Sequence, residues 1–237
     1  MEEVENRLVK VLSRHLLLDL TDMSVARARQ AHEIIRDNTQ LQGKSARGAE
    51  GQIRFRIMEQ GFQEICEHYG AILLEGGLIE GSDLRIFQPF MRFGDSDAPG
   101  IVLGLASMPL GGELPTKNMS RTAGVALNYR LTPRLALDKR DPQPGDIFVL
   151  FLVARDPAKA GQIEEIAVGI IDAEYQSFLF YETIEKFMAR YAPPDQPVQT
   201  GEAITPQKPL VRLKGNRTAF KPPEDKKPTG DTENNSA

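Results

Sequence analysis

Residues 147–154 read IFVLFLVA and follow the turn-forming segment DPQPGD at residues 141–146. An apolar run of this length, rich in aromatic and β-branched residues, predicts a strand that is buried on both faces of a sheet. A second apolar run, IAVGII at residues 166–171, comes after a charged turn. It predicts a neighbouring strand, paired with the first as a hairpin or across a short connection.

Three further strands are predicted upstream of this pair. Residues 101–108, IVLGLASM, are apolar almost throughout, which favours a central strand. Residues 84–93, LRIFQPFMRF, alternate as a strand does, but Pro89 cannot donate to a ladder and predicts a bulge or an edge there. Residues 71–75 form a short apolar strand before a Gly-Gly turn. A helix over residues 118–131 separates the third strand from the fourth.

Helical periodicity accounts for most of the remaining residues up to about position 190. Apolar residues recur at helical spacing, interrupted by a break at residues 21–24 and a loop around residues 43–48. The predicted helices cover residues 4–20, 24–40, 50–69 and 175–190. The expected fold class is therefore α/β in the mixed α+β sense, with a central mixed sheet of about five strands flanked by helices.

Three regions are predicted along the chain. Residues 1–48 form an N-terminal helical segment, residues 49–194 form the core domain, and residues 195–237 form a tail. The tail has few large apolar residues, so we expect it to be disordered. Residues 208–227 carry seven basic and two acidic residues. This excess predicts weak, salt-sensitive attraction to a polyanion, with a purely solubilising tail as the alternative.

The composition is that of a globular domain: of 237 residues, 41% are hydrophobic and 26% are charged. No apolar run approaches the roughly 18 residues of a membrane span, so no membrane partner is expected. The start, MEEVENRLVK, is acidic where a signal peptide is basic. Cys66 is the only cysteine, which excludes an internal disulfide and a cysteine-based zinc site and predicts a small buried residue. These features predict a cytoplasmic protein.

Charge is segregated along the chain, although the net charge is only −4. Residues 26–56 have a net charge of +4 and residues 115–140 have +5, whereas residues 57–100 and residues 141–199 each have −6. If the two basic stretches share a face, that face is expected to bind a polyanion such as nucleic acid. The alternative is that the basic residues are scattered over solvated surfaces.

Several common catalytic signatures are missing from the sequence. It contains no glycine-rich phosphate loop of the GxGxxG or GxxxxGK[ST] type, no HExxH and no GxSxG nucleophile elbow. The predicted order of elements over residues 50–171 is α-β-β-β-α-β-β. This order resembles the core of the restriction-endonuclease-like nucleases, the PD-(D/E)xK superfamily. The resemblance implies a metal-dependent nuclease, or an inactive descendant of one, with magnesium as the cofactor.

The resemblance implies a small set of site residues. Asp83, just before the second strand, stands where the family places its first acid, and Glu59 or Glu64 on the preceding helix stands for a helical glutamate. In this interpretation Asp83 and Glu59 hold the metal, since Mg²⁺ prefers clustered oxygen ligands. The third strand has neither acid nor lysine, and the nearest candidates are Glu113 and Lys117. The implied catalytic set is Asp83, Glu59 and Lys117.

The basic segment after the third strand supplies candidate nucleic-acid contacts. Lys117 and Arg121 stand at a loop and helix start, among the hydroxyl and amide side chains of Thr116, Asn118 and Ser120. Such groups suit phosphate oxygens, while the alternative is a plain helix capped by Asn118 or Ser120. The complete predicted contact set is Lys117, Arg121, Arg130 and Arg134.

Two functions of different kinds follow from these patterns. The first is a nucleic-acid-binding protein with a restriction-endonuclease-like core. The second is a non-enzymatic adaptor that acts through a protein partner or as a homo-oligomer, and the lack of a complete catalytic set favours it.

Overall fold

Six strands and five α-helices make up the part of the chain that the computed structural model describes, which is residues 2–74, 88–95, 98–131 and 145–191. Two short 3₁₀ segments, Leu127–Arg130 and Ala189–Tyr191, extend the last two helices. The elements in chain order are α1 Glu2–Val11, α2 Arg14–Asn38, α3 Gly43–His68, β1 Ile72–Leu73, β2 Phe90–Phe93, β3 Ile101–Met108, α4 Met119–Ala126, β4 Ile147–Arg155, β5 Ile163–Ile171, β6 Phe178–Thr183 and α5 Ile184–Met188.

The strands form one mixed sheet in the order β1-β2-β3-β4-β5-β6. β3 and β4 are parallel, in a register that pairs Ile101 with Ile147 and Met108 with Ala154, while the other neighbouring pairs are antiparallel. A parallel pair needs a crossover connection, and α4 lies in the segment that joins these two strands. The predicted mixed α+β class is confirmed, and the sheet has six strands instead of about five.

Both faces of the sheet are covered, which explains the uninterrupted apolar runs of β3 and β4. Alternate residues of a strand point to opposite faces. Leu103 and Val149 belong to a core shared with α1, α2, α3 and α5, whereas Val102 and Leu150 belong to a second core that includes Val125 of α4. Full burial of one such side chain contributes roughly 2 kcal/mol. The sheet is therefore the middle of three layers.

The break between the first two helices falls at Ser13, not at residues 21–24 as predicted. The Ser13 side chain accepts a hydrogen bond from the amide of Leu16 at 3.2 Å and caps α2. The hydroxyls of Thr21 and Ser24 bond back to carbonyl groups four residues earlier, each at 2.7 Å. This bonding lets both residues stay inside a helix, so their tendency to form caps was a misleading indication.

The predicted loop around residues 43–48 is also wrong, because α3 begins at Gly43. The interior glycines of this helix lower its intrinsic stability, and tertiary packing compensates for them. A Cβ atom added at Gly61 would lie 2.9 Å from the Met23 side chain, so α2 and α3 pack closely at this point. Close packing of this kind overrides weak propensity.

The predicted helix over residues 175–190 is a strand for its first half. β6 pairs with β5 in antiparallel register, with Ile170 opposite Phe180, and the helix is confined to Ile184–Met188. The sequence FLFYET is rich in aromatic residues, which favour strands. The turn that returns the chain from β5 to β6 is held by Asp172, whose carboxylate accepts hydrogen bonds from Glu174, Gln176 and Ser177.

α4 is fixed to the sheet by close packing and by one buried amide. A Cβ atom at Gly124 would lie 2.6 Å from the ring of Phe148, so only glycine fits there. The side chain of Asn128 is fully buried, accepts a hydrogen bond from the Phe148 amide and donates to the carbonyls of Phe148 and Ile171. These contacts set the position of the helix start, at Asn118, relative to the ends of β3 and β4.

The remaining predictions can be compared with the structure only over the described residues. The strands predicted over residues 71–75 and 84–93 appear in part, as β1 and β2, while residues 71, 74, 88 and 89 are described and lie outside a strand. Residues 75 and 84–87 lie outside the described residues, as does the tail predicted over residues 195–237. Residues 1–194 belong to one compact unit. Cys66 is fully buried as predicted, and burial raises the pKa of its thiol.

Candidate polyanion site

The carboxyl ends of β3 and β4 lie at the same edge of the sheet because the two strands are parallel. In open, mostly parallel α/β sheets, ligands bind beyond the carboxyl ends of the strands, and β3 and β4 are the one parallel pair among the described strands. Two clefts open at this edge, both lined by α3 and by the segment that leads into α4. We call them the arginine cleft, lined among others by Arg54, Ser107, Thr116 and Arg155, and the glutamate cleft, lined by Phe55, Arg56, Glu59, Gln88, Met119 and Arg121.

The arginine cleft has a volume of about 370 Å³ and brings together two cations that are far apart in the sequence. Arg54 comes from α3 and Arg155 is the last residue of β4. Burial lowers the pKa of Arg54, Glu50 raises it in part, and the positive charge of Arg155 lowers it further. The guanidinium groups are therefore close enough to repel one another.

Carboxylate compensation in this cleft is weak. The side chain of Arg54 is only 15% exposed, and its one carboxylate partner among the described residues is Glu50, at a long distance of 3.9 Å. Glu50 is shared, because its other oxygen lies 3.0 Å from Nδ1 of His32. Arg155 has no carboxylate within 4 Å in the described part of the chain. The cleft thus retains excess positive charge.

Hydroxyl groups complete the wall of the arginine cleft. Ser107 is the one exposed residue within β3, and it lies next to the end of the strand. Thr116 lies in the segment before α4 and is also exposed. Serine and threonine hydroxyls, together with arginine, are the groups that proteins use to contact phosphate oxygens. The chemistry of this cleft therefore suits an anion that carries several oxygens.

The glutamate cleft, of about 480 Å³, contains two buried polar atoms without hydrogen-bond partners. Glu59 is 8% exposed, and its Oε2 accepts a hydrogen bond from Nη1 of Arg56 at 3.2 Å. Its Oε1 is buried and has no hydrogen bond of normal geometry among the described residues, although the side chain of Gln88 lies near enough to lower the pKa of Glu59. The Nε atom of Arg121 is likewise buried and unpartnered there. Burial raises the pKa of Glu59, against the opposing effects of Arg56 and Gln88, and burial lowers the pKa of Arg121.

The start of α4 forms the wall between α3 and the sheet edge. Asn118 is the N-cap: its Oδ1 accepts a hydrogen bond from the Arg121 amide at 2.8 Å. Its Nδ2 donates to Oε1 of Gln88 at 3.2 Å, which links the cap to the segment before β2. The predicted capping role of Asn118 is confirmed, and the predicted phosphate contact at this helix start stays a prediction.

The structure brings together some of the predicted site residues and separates others. Glu59 and Arg121 line the same cleft. Lys117 is exposed and is not among the described residues lining either cleft; its Nζ lies 5.7 Å from the centre of the Tyr175 ring. Glu64 is exposed and accepts a hydrogen bond from Gln60. The predictions for Asp83, Arg134 and the side chain of Arg130 fall outside the described residues.

Parts of the two predicted basic stretches meet at this edge, with Arg54 and Arg56 from the first and Arg121 from the second. Other cations of the first stretch lie elsewhere, since Arg29 and Arg36 line a different cleft. Arg54 and Thr116 line one cleft, and Arg56 and Arg121 line the other, so residues 26–56 and 115–140 each contribute to both. Sequence reasoning missed Arg155, because it belongs to a segment with an overall negative charge. Arg155 directly follows the apolar run at residues 147–154, so the sequence places it at the carboxyl end of a predicted strand. That position was the available indication that Arg155 belongs to the site.

The glutamate cleft contains only part of the magnesium site that the resemblance implies, because Asp83 lies outside the described residues. Mg²⁺ takes several oxygen ligands, with deprotonated carboxylates among them. The glutamate cleft offers one carboxylate from the described chain, Glu59, with a raised pKa and with Arg56 bonded to it. No group of three or more potential metal ligands occurs among the described residues. We therefore derive no chemical step through a metal.

Comparisons with family models, with curated proteins and with solved structures find no match to this chain. Among the described residues, no helix is both long enough and apolar enough to cross a membrane.

Proposed function

We propose that this protein binds nucleic acid through the edge of the sheet at the carboxyl ends of β3 and β4. The observation that carries the proposal is the convergence of Arg54 and Arg155 on one hydroxyl-lined cleft, where Glu50, shared with His32, is the one carboxylate partner among the described residues. Like charges converge in a half-buried cleft only at an energetic cost. A phosphate group between the two guanidinium groups turns that repulsion into charge-assisted hydrogen bonds.

The neighbouring groups extend the same surface toward a chain of phosphates. Arg56 and Arg121 line the adjacent cleft, and Lys117 stands on the segment between Thr116 of one cleft and Asn118 of the other. A ligand with repeated negative charges engages several of these cations at once, whereas a single small anion engages one cleft. Nucleic acid is the intracellular polyanion that also carries planar groups able to contact Phe55 and Met119.

The order of elements is consistent with a diverged restriction-endonuclease-like core. α3, β1, β2, β3, α4, β4 and β5 follow one another in the order that the sequence predicts. We propose that such a core serves here for binding and not for cleavage, because β3 has no acidic residue and Glu59 is the one carboxylate that the described residues place in the glutamate cleft. Cleavage with Mg²⁺ or Mn²⁺ that disappears in Asp83→Ala would contradict this part of the proposal.

The proposal is tested by the salt dependence of nucleic-acid binding. Labelled single- and double-stranded DNA and RNA of about 20 nucleotides are titrated with the full chain by fluorescence anisotropy, from about 50 to about 200 mM salt. We expect the logarithm of the affinity to fall linearly with the logarithm of the salt concentration. The double substitution Arg54→Ala with Arg155→Ala is expected to reduce the slope by about two, one for each lost phosphate contact.

A matched control uses a cation on a different part of the molecule. The side chain of Lys186 on α5 is 73% exposed and lies in a segment of negative net charge. Lys186→Ala is expected to leave the slope unchanged. Absence of binding to both DNA and RNA at the lowest salt would refute the proposal, and a stable complex with a protein partner in that case would select the adaptor function instead.

A further inference from the structure

We infer that the glutamate cleft is a binding site for an unstacked nucleobase. This inference rests on the proposed nucleic-acid binding. A phosphate of the ligand binds in the arginine cleft, and a base of the same ligand binds in the glutamate cleft. The arginine cleft supplies charge and hydroxyl groups for phosphate, whereas the glutamate cleft supplies a mixed set of acceptors, donors and apolar surface. A nucleobase presents the complementary set on one flat group.

The unpartnered atoms of Glu59 and Arg121 are the main reason for this inference. Oε1 of Glu59 accepts hydrogen bonds and Nε of Arg121 donates one, and neither is satisfied within the described residues. Both atoms belong to side chains that line the glutamate cleft, and no hydrogen bond joins them, so a ligand with one donor and one acceptor is the group that would satisfy both. Buried polar atoms left unsatisfied destabilise a fold, so such a pair at one cleft indicates a ligand site.

Phosphate alone does not satisfy this pair. A phosphate oxygen is an acceptor that suits Arg121, but it repels the carboxylate of Glu59 and leaves Oε1 without a donor. The edge of each nucleobase carries both an N–H donor and a ring nitrogen or carbonyl acceptor. The donor faces Glu59 and the acceptor faces Arg121 in the arrangement that we propose.

The remaining lining of the cleft suits the faces of a flat ring. Phe55 lies on α3 one residue from Arg56, and Met119 stands at the first residue of α4 with 60% of its surface exposed. Stacking of a base on such side chains is a main source of affinity for single strands. A volume of about 480 Å³ accommodates one base but not a stacked duplex, so the site takes a base from a single strand or a free nucleotide.

The test compares two single strands that have equal backbones. A mixed-sequence strand of about 10 nucleotides with all four bases, and an abasic strand of equal length, are titrated with the full chain at one salt concentration. Stacking and edge contacts predict that the strand with bases binds about tenfold more tightly. Equal affinity of the two strands would overturn the nucleobase site and leave the backbone binding intact, whereas no binding of either strand would overturn both proposals.

Substitutions then locate the base-dependent part of the affinity. Glu59→Met keeps the side-chain volume and removes the acceptor, and Met119→Ala removes an exposed side chain that the fold does not need. Each is expected to reduce the ratio between the two strands at least about threefold and to leave the abasic affinity unchanged. Glu67→Gln is the matched control, because Glu67 lies on the same helix, is exposed and accepts a hydrogen bond from Gln63. An undiminished ratio in both cleft variants would refute the assignment.

A competition experiment identifies the source of the base. Nucleoside monophosphates are added to the complex with the base-containing strand. If they displace only the base-dependent part of the affinity, the site accepts a free nucleotide as well as a base within a strand. If they do not compete, the base is recognised only within a strand, and the nucleobase assignment is retained in both cases.

Discussion

Arginine side chains lie beside acidic residues at both ends of the parallel strands β3 and β4. The two ends differ in how many of the arginine donors have hydrogen-bond acceptors. At the amino-terminal end, all five N–H donors of Arg92 have acceptors. Two go to the carboxylate of Asp146, at 2.8 and 3.2 Å, and the other three go to the carbonyls of Gly94, Asp95 and Ala98. Asp146 also accepts a hydrogen bond from the amide of Gly100 at 2.6 Å.

At the carboxyl-terminal end, the cations are incompletely paired. Arg54 has Glu50 at 3.9 Å, and Arg121 has a buried Nε without a partner in the described part of the chain. The interactions change the pKa in opposite directions: the hydrogen bond that Arg92 donates to Asp146 raises the pKa of Arg92, while burial lowers the pKa of Arg54 and Arg121. The comparison separates an arginine whose donors are all bonded within the fold from arginines whose donors are incompletely paired within the described residues.

The largest expected effect on stability is that of replacing Arg92, whose five N–H donors all have acceptors. Arg92→Ala leaves Asp146 partly buried without its ion pair, and we expect the free energy of unfolding to fall by about 3 kcal/mol. Urea unfolding followed by circular dichroism measures this loss. Nucleic-acid affinity of the folded fraction is expected to stay unchanged, and a parallel loss of affinity would remove the distinction between the two ends.

The acids at the two ends are expected to respond to pH with opposite signs. Burial alone would raise the pKa of Asp146, but hydrogen bonds from Arg92 and Gly100 lower it below its ordinary value. Its contribution to stability is therefore present above its unfolded pKa, about 3.9, and is lost as the pH falls through the lowered folded pKa. Asp146→Asn is expected to cost about 2 kcal/mol at neutral pH and progressively less in acid.

Glu59 provides the opposite case. Its folded pKa is raised, mainly by burial, so its charged form destabilises the fold at pH values above that folded pKa. Glu59→Gln is expected to be more stable than the unsubstituted protein at neutral pH, and the difference should disappear toward pH of about 4. Unfolding curves at several pH values measure both variants. Parallel profiles for Asp146→Asn and Glu59→Gln would show that the two acids have similar environments.

A smaller effect on the free energy of unfolding is expected at Arg121, and its sign is opposite to that at Arg92. Arg121→Met replaces a buried cation with an apolar side chain of similar length, and we expect the free energy of unfolding to rise by about 1 kcal/mol. The same variant should bind nucleic acid less tightly, so stability and binding change in opposite directions. Thermal unfolding and anisotropy on one preparation test this, and a destabilised Arg121→Met would mean that Arg121 is structural.

The smallest effect is expected at Lys117. Its ammonium group lies over Tyr175 at 5.7 Å, on an exposed segment, and makes no contact on which the fold depends. Lys117→Ala is expected to leave the unfolding transition in place and to reduce the salt slope of nucleic-acid binding by about one. An unchanged slope would confine the binding surface to the two clefts.

Local patterns predicted the central strands well and the boundaries of helices less well. Residues 101–108 and 147–154 are apolar at consecutive positions, and only a doubly covered strand or a buried helix explains such a run. Ser24 misled because a serine that caps a helix when exposed can continue it when its hydroxyl bonds to the preceding turn. Gly43 misled because the glycine is the first residue of α3 and not part of a longer loop. The aromatic run at 178–180 fits either periodicity, and pairing with β5 decided it.

The candidate site was predictable only in part. Glu59 and Arg121 were identified from a resemblance and from a helix start, but their shared cleft depends on α3 and the start of α4 meeting at one edge of the sheet. Arg155 escaped notice because charge summed over a long segment conceals a single residue at a strand end. Gln88 was assigned to a strand and instead bonds to the cap of α4.

Composition and periodicity, which act between neighbours in the chain, were sufficient to establish a mixed sheet with covered faces and a segregated distribution of charge. The meeting of Arg54, Arg121 and Arg155 at one edge has no local cause. It follows from the parallel alignment of β3 and β4 and from the seating of α4 against Phe148, because these long-range contacts bring distant positions into one cleft.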